Sequence, residues 1–192
     1  DVGVDVPGGS TFQFRSVFQN CLDFNPTSGN MSTWDMSKCT NLTYTFKTAS
    51  LFNEDISMWD TSNVTSMRET FKNAINFDQP IGNWDVINVT DMRQMLGNTS
   101  SFNQNISGWN VDGWVDGATA DVPIASTAGS FTLSTANYDL LLVAWDAYNF
   151  ANYAGNTADF GTSTYSLSDP AVVTARNNLI AKWGNIIDGG GV

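Results

Sequence analysis

Histidine is absent from the 192 residues of this chain, and positively charged residues are few. Without histidine, the chain lacks the commonest general base and the commonest metal ligand of proteins. Only 8 lysines and arginines stand against 19 aspartates and glutamates, which gives a net charge of −11. Nucleic acids and anionic membranes are bound largely through basic side chains, so the composition argues against both as partners. We expect no cofactor, no metal site and no enzymatic activity.

Two further features are missing. No apolar run is long enough for a membrane-spanning helix, so membrane insertion is not expected. The chain begins at Asp1 without a methionine or a signal peptide, which indicates a processed product or a portion of a longer protein. An acidic surface rich in Asn, Ser and Thr is typical of a secreted protein.

A 25-residue repeat occupies the middle of the chain, in three copies that begin at Trp34, Trp59 and Trp84. A fourth copy begins at Trp109 and then loses the pattern. A fixed period of this length is typical of a solenoid, in which each repeat forms one coil and buries its apolar face against its neighbours. Such proteins present long exposed faces, which suit binding better than catalysis.

Aligned on tryptophan, the copies place apolar residues at the same offsets. Spacings of 3 and 4 in the first half of each repeat indicate one face of a short helix. Alternation around each tryptophan, as in Ile81 to Val86, indicates a short strand. The tryptophans are therefore expected to pack in the core rather than to stack on carbohydrate. The predicted core consists of Trp34, Trp59, Trp84, Trp109, Phe52, Phe77, Phe102, Ile56, Ile81 and Ile106.

The expected fold class is an α/β solenoid, a right-handed stack of coils with short parallel strands and short helices. Two further helices are predicted near the carboxyl end. The first has Ser134 or Thr135 as its N-cap, and the second begins at Ser168-Asp169-Pro170. We interpret them as parts of two larger coils that continue and close the stack. The expected regions are an N-terminal extension (1–10), the repeats (11–111), a junction loop (112–130) and the capping coils (131–192).

The two cysteines, Cys21 and Cys39, fall on apolar positions of the repeat alignment. A disulfide is one interpretation, and a pair of buried free thiols is the other. In the predicted coils the two residues lie at opposite ends of adjacent helical faces, about 15 Å apart, which exceeds the reach of a disulfide. We therefore expect both cysteines to be reduced.

The W-D-x-S-N-V-T-x-M-x-x-x-F pattern from Trp59 to Phe71 resembles the repeats of the BspA-like leucine-rich-repeat surface proteins, which occur in Bacteroidetes and mycoplasmas. The segments 134–139 and 186–190 are similar to those that follow such repeats in marine Bacteroidetes proteins. The resemblance covers nearly the whole chain. It implies a leucine-rich-repeat-like coil stack, a secreted or cell-surface location, and a role in adhesion or interaction.

An acidic position follows each tryptophan and is the main candidate for a binding site. It holds Asp35, Asp60 and Asp85, and then Asn110. On stacked strands these side chains would form a row about 4.8 Å apart on the outer face. One interpretation is a row that binds a polar ligand or calcium. The alternative, which we favour, is that each carboxylate caps backbone amides of the turn that follows it.

These observations predict a non-enzymatic extracellular surface or adhesion module. Its expected partners are a host-surface protein or glycan, or further copies of the chain. The alternative is a structural subunit of an extracellular filament or virion appendage.

Overall fold

The computed structural model describes residues 10–26, 30–111, 131–148 and 156–192. The predicted junction loop at 112–130 and residues 1–9 of the predicted extension lie outside the described residues. The helices and strands are β1 (Phe12–Gln13), β2 (Cys39–Asn41), α1 (Thr135–Trp145), β3 (Asn156–Asp159), β4 (Thr164–Tyr165), α2 (Pro170–Trp183), β5 (Gly184–Ile187) and β6 (Gly190–Gly191). No helix in the described part of the chain is long and apolar enough to cross a membrane.

The prediction of an α/β solenoid is wrong. Both α-helices lie after residue 130, and the described repeat residues contain no α-helix. The strands form three separate two-stranded parallel sheets, β1–β2, β3–β5 and β4–β6, rather than one sheet that runs along the repeats. Where we expected a short strand from Ile81 to Val86, the chain forms a single 3-10 turn at Ile81–Asn83, and a similar turn lies at Met31–Thr33.

Consecutive repeats are joined instead by turns that share hydrogen bonds. In the first full repeat, the N–H groups of Leu42, Tyr44, Phe46 and Thr48 donate to carbonyls of the next repeat at 2.7–3.0 Å. Of the intervening residues, Thr45 and Lys47 donate their N–H three residues back within the repeat, and Thr43 donates to the side-chain Oδ1 of Asn41 at 2.8 Å. The same alternation recurs along the chain. We call the segments 14–20, 42–48, 67–73 and 92–98 the turn ladder.

Left-handed backbone explains why the turn ladder is not helical. Each of its segments contains two non-glycine residues with φ between 51° and 62°. This conformation costs an L-residue about 1–2 kcal/mol, and it ends any α-helix. The six such residues in the first three segments each donate an N–H to the following repeat, so the hydrogen bonds between repeats offset the cost. The left-handed residues are Ser16, Asn20, Tyr44, Thr48, Glu69, Asn73, Gln94 and Asn98.

Aromatic rings fill the space between repeats. Phe46 stacks on Phe71 with ring centroids 5.5 Å apart, and Trp59 stacks on Trp84 at 6.2 Å. The indole Nε1 of Trp84 donates to the carbonyl of Ile56 at 3.1 Å, so its polar atom is satisfied inside the core. Equivalent indole bonds run from Trp59 to the carbonyl of Met31 and from Trp109 to that of Ile81.

The C-terminal region packs α1 against α2. The side chain of Ser134 caps α1, and that of Asp169 caps α2 by accepting the N–H of Ala171 at 2.9 Å. Pro170 occupies the first turn of α2, where its missing N–H costs no hydrogen bond. The apolar faces bury Tyr138, Leu141, Leu142, Trp145, Val172, Ala175, Leu179 and Trp183.

Asn103 links the repeats to this region. Its Oδ1 accepts the N–H of Ser134 at 2.8 Å, and its carbonyl accepts a hydrogen bond from Asn137 Nδ2 at 2.7 Å. Phe102 meets Phe131 edge to face beside it. The last repeat is thus covered by the start of α1, although β3–β5 and β4–β6 do not extend β1–β2.

Candidate functional site

The acidic row predicted from the sequence lies on the surface. Asp35, Asp60 and Asp85 are exposed, whereas Asn110 is half-buried. Asp35 Oδ1 accepts the N–H and the hydroxyl of Ser37 at 3.0 and 2.6 Å, and Asp60 does the same with Ser62. Asp85 Oδ1 accepts the N–H two residues further on at 3.0 Å. Each carboxylate therefore caps its own turn while facing solvent.

The caps favour the charged form of Asp35 and Asp60. The hydrogen bond from the Ser37 hydroxyl and that from its N–H hold the pKa of Asp35 below its ordinary value. Ser62 lowers the pKa of Asp60 in the same way, while the negative charge of Asp35 opposes that shift. The two carboxylates therefore repel each other electrostatically. The row is an array of fixed negative charges, one in each repeat.

All the predicted core residues except Trp34 are buried. Trp59 and Trp84 are each 3% exposed, and Trp109 is fully buried. Trp34 is half-buried at the outer end of the aromatic stack. The tryptophans therefore hold the repeats together and do not form a ligand platform. The side chains of Phe52, Phe77, Phe102, Ile56, Ile81 and Ile106 are fully buried.

The described residues contain no group of three Cys, Asp or Glu side chains placed to hold a metal ion. Cys21 is exposed, Cys39 is buried, and both are free. Burial raises the pKa of the Cys39 thiol, which makes it a packing residue rather than a nucleophile.

A second charged surface was missed by the sequence analysis. Five of the eight basic residues in the chain lie together on the turn ladder, on neighbouring repeats. We call this group the basic cluster. It consists of Arg15, Lys47, Arg68, Lys72 and Arg93.

Tyr44 lies at the centre of the basic cluster. The Nζ of Lys47 is 4.9 Å from the centroid of its ring, and the guanidinium carbons of Arg68 and Arg15 are 5.6 and 5.7 Å away. A phenol ring attracts cations through its electron-rich face. Tyr44 therefore gathers cations from three different repeats around one ring.

Two carboxylates partly neutralise the basic cluster. The side chain of Glu69 is 10% exposed and lies 2.7 Å from Lys47 Nζ, 3.4 Å from Arg68 Nε and 3.5 Å from Lys72 Nζ. Burial alone would raise the pKa of Glu69, but its hydrogen bond with Lys47 and the nearby positive charges lower it overall. Asp91 pairs with Arg93 at 2.7 Å in the neighbouring repeat.

The repeat alignment contains a signal for this cluster. Arg15, Arg68 and Arg93 share one offset from tryptophan, nine residues on, once Phe14 is aligned with Met67 and Met92. Lys47 and Lys72 share another, thirteen residues on. The basic residues therefore recur at fixed repeat offsets, which groups them on one face of the repeats. Counting the charges of the whole chain concealed the group.

The C-terminal region holds a buried polar cluster. Asp188, whose side chain is 3% exposed, accepts the hydroxyl of Tyr138 at 2.9 Å and pairs with Arg176 Nε at 2.8 Å. The Arg176 guanidinium lies 4.7 Å from the centroid of the Tyr165 ring. Burial and the neighbouring carboxylate raise the pKa of Tyr138 far above its ordinary value, so its hydroxyl stays protonated. This cluster joins α1, α2 and the turn after β5.

One family model matches residues 12–120, which is more than half of the chain and includes all the complete repeats. Its description is "Mycoplasma protein of unknown function, DUF285". The chain belongs to this family. A search of curated proteins and a search of solved structures found no match.

Membership of DUF285 gives the repeats a family but no activity, because the family's function is unknown. The two exposed charged surfaces, the acidic row and the basic cluster, both lie within the matched residues. The buried cluster around Asp188 lies outside them. The function of this DUF285 protein must therefore be argued from the geometry of its surfaces.

Proposed function

We propose that this protein is a non-enzymatic extracellular surface or adhesion module, which binds a host-surface protein or glycan through an exposed face of its stacked repeats. The observation that carries the proposal is the acidic row. Asp35, Asp60 and Asp85 occupy one offset in three successive repeats, and each is fixed by hydrogen bonds to its own turn.

Preorganisation is what makes such a row suitable for binding. An exposed side chain that becomes ordered on binding costs about 0.5–1.5 kcal/mol of entropy. Asp35 and Asp60 are already ordered by two hydrogen bonds each, so a ligand meets them with little of that cost. Their spacing is also fixed, since backbone hydrogen bonds of 2.9 Å join Thr65 to Thr40 and Thr90 to Thr65 between the same repeats.

The buried positions of the tryptophans support a binding role rather than catalysis. The described repeats use their large apolar side chains to fill the space between neighbours. The polar side chains at the other repeat positions remain at the surface and form extended rows. The resemblance to BspA-like surface proteins supports the same location and role.

Changing the charge of the row without breaking its caps tests the proposal. The double variant Asp60→Asn, Asp85→Asn removes two negative charges and keeps an oxygen that can accept the turn N–H. The chain offers a precedent, since Asn105 Oδ1 accepts the N–H of Ser107 at 3.0 Å. Wild type and variant would be compared on arrays of glycans and of host-surface proteins.

We expect specific binding by the wild type and a loss of at least about tenfold in the variant, with unchanged circular dichroism. The control is Asp139→Asn, which removes a charge from the C-terminal region, where Asp139 accepts hydrogen bonds from Ser166. An absence of any array signal for the wild type contradicts the adhesion role. A measured hydrolysis of any arrayed glycan or protein contradicts the assignment as a non-enzyme.

A structural subunit of a filament is the second candidate. Leu22 and Leu51 are 52% and 44% exposed, and they are neighbours, because the N–H of Leu51 donates to the carbonyl of Leu22. Exposed apolar side chains on adjacent turns favour contact between copies. Light scattering that shows concentration-dependent polymers, abolished by Leu22→Ser with Leu51→Ser, would favour this role over a monomeric adhesin.

A further inference from the structure

The basic cluster is a local excess of positive charge on an acidic protein. Its five cations, Arg15, Lys47, Arg68, Lys72 and Arg93, face only two carboxylates within the group, which leaves a net charge of +3. The chain as a whole carries −11. The remaining three basic residues lie elsewhere, at Lys38, Arg176 and Lys182.

The carboxylates do not satisfy every cation. Arg68 Nε is buried and makes no hydrogen bond among the described residues, although it forms an ion pair with Glu69 at 3.4 Å. The pairing of Arg93 is stronger, since two of its nitrogens hydrogen-bond to Asp91 at 2.9 and 2.7 Å. Arg15 is exposed at the edge of the group. An added anion beside Arg15 and Arg68 would relieve their mutual repulsion at Tyr44.

The negative charge of the rest of the chain does not prevent anion binding here. At physiological ionic strength the Debye length is about 8 Å, so exposed charges further away are largely screened. An anion at Tyr44 therefore responds mainly to the basic cluster with Glu69 and Asp91. Partial burial of the cations strengthens their effect, since the side chains of Lys47 and Lys72 are only 27% and 23% exposed.

The neighbouring residues indicate which polyanion fits. A row of neutral polar side chains occupies the repeat position directly after that of Lys47 and Lys72. It consists of Thr48, Asn73 and Asn98. Asn98 Nδ2 donates to Asn73 Oδ1 at 3.0 Å, which links the row between repeats. Amides and hydroxyls both donate and accept, as sugar hydroxyls do. A single-stranded nucleic acid is instead held by aromatic rings exposed to its bases, whereas the ring of Tyr44 is surrounded by cations.

We propose that the basic cluster is a binding site for a linear sulfated polysaccharide. Arginine forks and lysines at Tyr44 bind the sulfates, and the amide row at Asn73 and Asn98 binds sugar hydroxyls. This inference rests on the proposed binding function, for which it names a ligand class and a second face, separate from the acidic row.

Dextran sulfate is the probe, with neutral dextran and double-stranded DNA as comparison ligands. Binding would be measured by interferometry in about 0.1 M salt and repeated at higher salt, where release of counterions weakens it. The variant Arg15→Glu changes the charge by two units at an exposed position, so we expect it to fold. We expect saturable binding of dextran sulfate alone, weakened on the order of tenfold or more in the variant.

Lys38→Glu is the matched control, because it also changes the charge by two units. Lys38 lies near Asp35 rather than at Tyr44. We expect Lys38→Glu to bind dextran sulfate within about twofold of the wild type. The affinity of Arg15→Glu should depend less steeply on salt concentration than the affinity of the wild type or of Lys38→Glu. Circular dichroism confirms folding of both variants, and Arg15→Gln serves as the milder replacement if Arg15→Glu is unfolded.

Two results would overturn the inference. One is an absence of binding to dextran sulfate, or equal binding to DNA. The other is an equal loss in Arg15→Glu and Lys38→Glu, which would mean that overall charge, rather than the basic cluster, controls binding. The proposed adhesion role fails separately. If array binding is lost in the Asp60, Asp85 variant and kept in Arg15→Glu, that role stands without the polysaccharide site.

Discussion

The repeats and the C-terminal region satisfy buried backbone groups in opposite ways. In α1 and α2 the hydrogen bonds stay within each helix, apart from the caps. In the segments 14–20, 42–48 and 67–73 of the turn ladder every second N–H donates to the next repeat, so these repeats depend on a neighbour. The first arrangement makes a self-contained unit. The second makes a stack whose stability resides in the contacts between repeats.

The two regions also place charge differently. The C-terminal region buries one carboxylate, Asp188, and uses it to join Arg176 to Tyr138. The repeats leave the acidic row and the basic cluster at the surface, at offsets that recur in successive repeats. The contrast shows how a binding face arises. Because stacked rings and backbone hydrogen bonds between repeats form the core, the polar side chains at the other repeat positions are available for ligands.

The largest effect is expected from a change to a ring between repeats. Phe71 is fully buried, with its ring centroid 5.5 Å from that of Phe46 in the preceding repeat and 6.0 Å from that of Trp84 in the following one. Phe71→Ala removes contacts with two repeats at once and should lower the free energy of unfolding by about 3–5 kcal/mol. Urea denaturation followed by tryptophan fluorescence measures the change.

Phe24→Ala is the control for this prediction. Phe24 is half-buried in the first repeat and stacks on Phe18 and Phe52. We expect it to cost less than half as much as Phe71→Ala. Equal losses in the two variants would mean that a ring packed between two neighbouring repeats contributes no more stability than a ring at the end of the stack.

The next effect concerns the buried carboxylate of the C-terminal region. Asp188→Asn leaves Arg176, whose side chain is 16% exposed, without its counter-ion. Because the pair is nearly buried, we expect a loss of about 2–4 kcal/mol in a chemical denaturation curve. Asp146→Asn is the matched change at a more exposed pair with Lys182, and it should cost less than about 1 kcal/mol. An equal cost would show that burial of Asp188 does not matter.

The sequence predicted the C-terminal helices because their signals are local. Ser134 and Asp169 cap the two helices as the N-cap pattern indicates, and the apolar spacing around Leu141 and Leu179 matches their buried faces. The helices differ from the prediction only in the sheets against which they pack. They pack beside two-stranded sheets that are separate from the repeats.

The same reasoning failed in the repeats because apolar spacing does not determine backbone conformation. Offsets of 3 and 4 fit one face of an α-helix, but they also fit turns in which alternate N–H groups bond to the next repeat. The residues that decide between these structures are Tyr44, Glu69 and Gln94, which are left-handed without being glycine. No residue type at this offset predicts φ near +55°. At Tyr44 and Glu69 this left-handed conformation accompanies hydrogen bonds from their N–H groups to carbonyls 24 positions further on.

Glu69 provides a smaller, pH-dependent test of the surface charges of the repeats. The pKa of Glu69 is lowered in the folded protein from its ordinary 4.5, so its stabilising effect is complete at neutral pH. That effect is lost as the pH falls below about 4.5 and through the lowered value. Glu69→Gln should therefore cost about 1 kcal/mol at pH 7, and wild type and variant should converge near pH 3.

Urea midpoints at several pH values measure this convergence. Glu54→Gln, which makes the same change at a half-buried glutamate outside the basic cluster, serves as the control. We expect a smaller change at pH 7 for this control than for Glu69→Gln. A cost for Glu69→Gln that is constant from pH 7 to pH 3 would show that its ion pairs with Lys47 and Lys72 do not stabilise the repeats.

The smallest effect separates the structural role of the acidic row from its charge. Asp60→Ala removes the oxygen that accepts the N–H and hydroxyl of Ser62, and it should cost about 0.5–1 kcal/mol. Asp60→Asn keeps an acceptor at the same place and should cost less than half of that in the same thermal denaturation assay. If the two variants are equally destabilised, charge rather than the cap stabilises the turn. If neither is, the cap is a consequence of the fold, and the recurrence of Asp35, Asp60 and Asp85 requires a cause outside stability, such as the ligand proposed for this row.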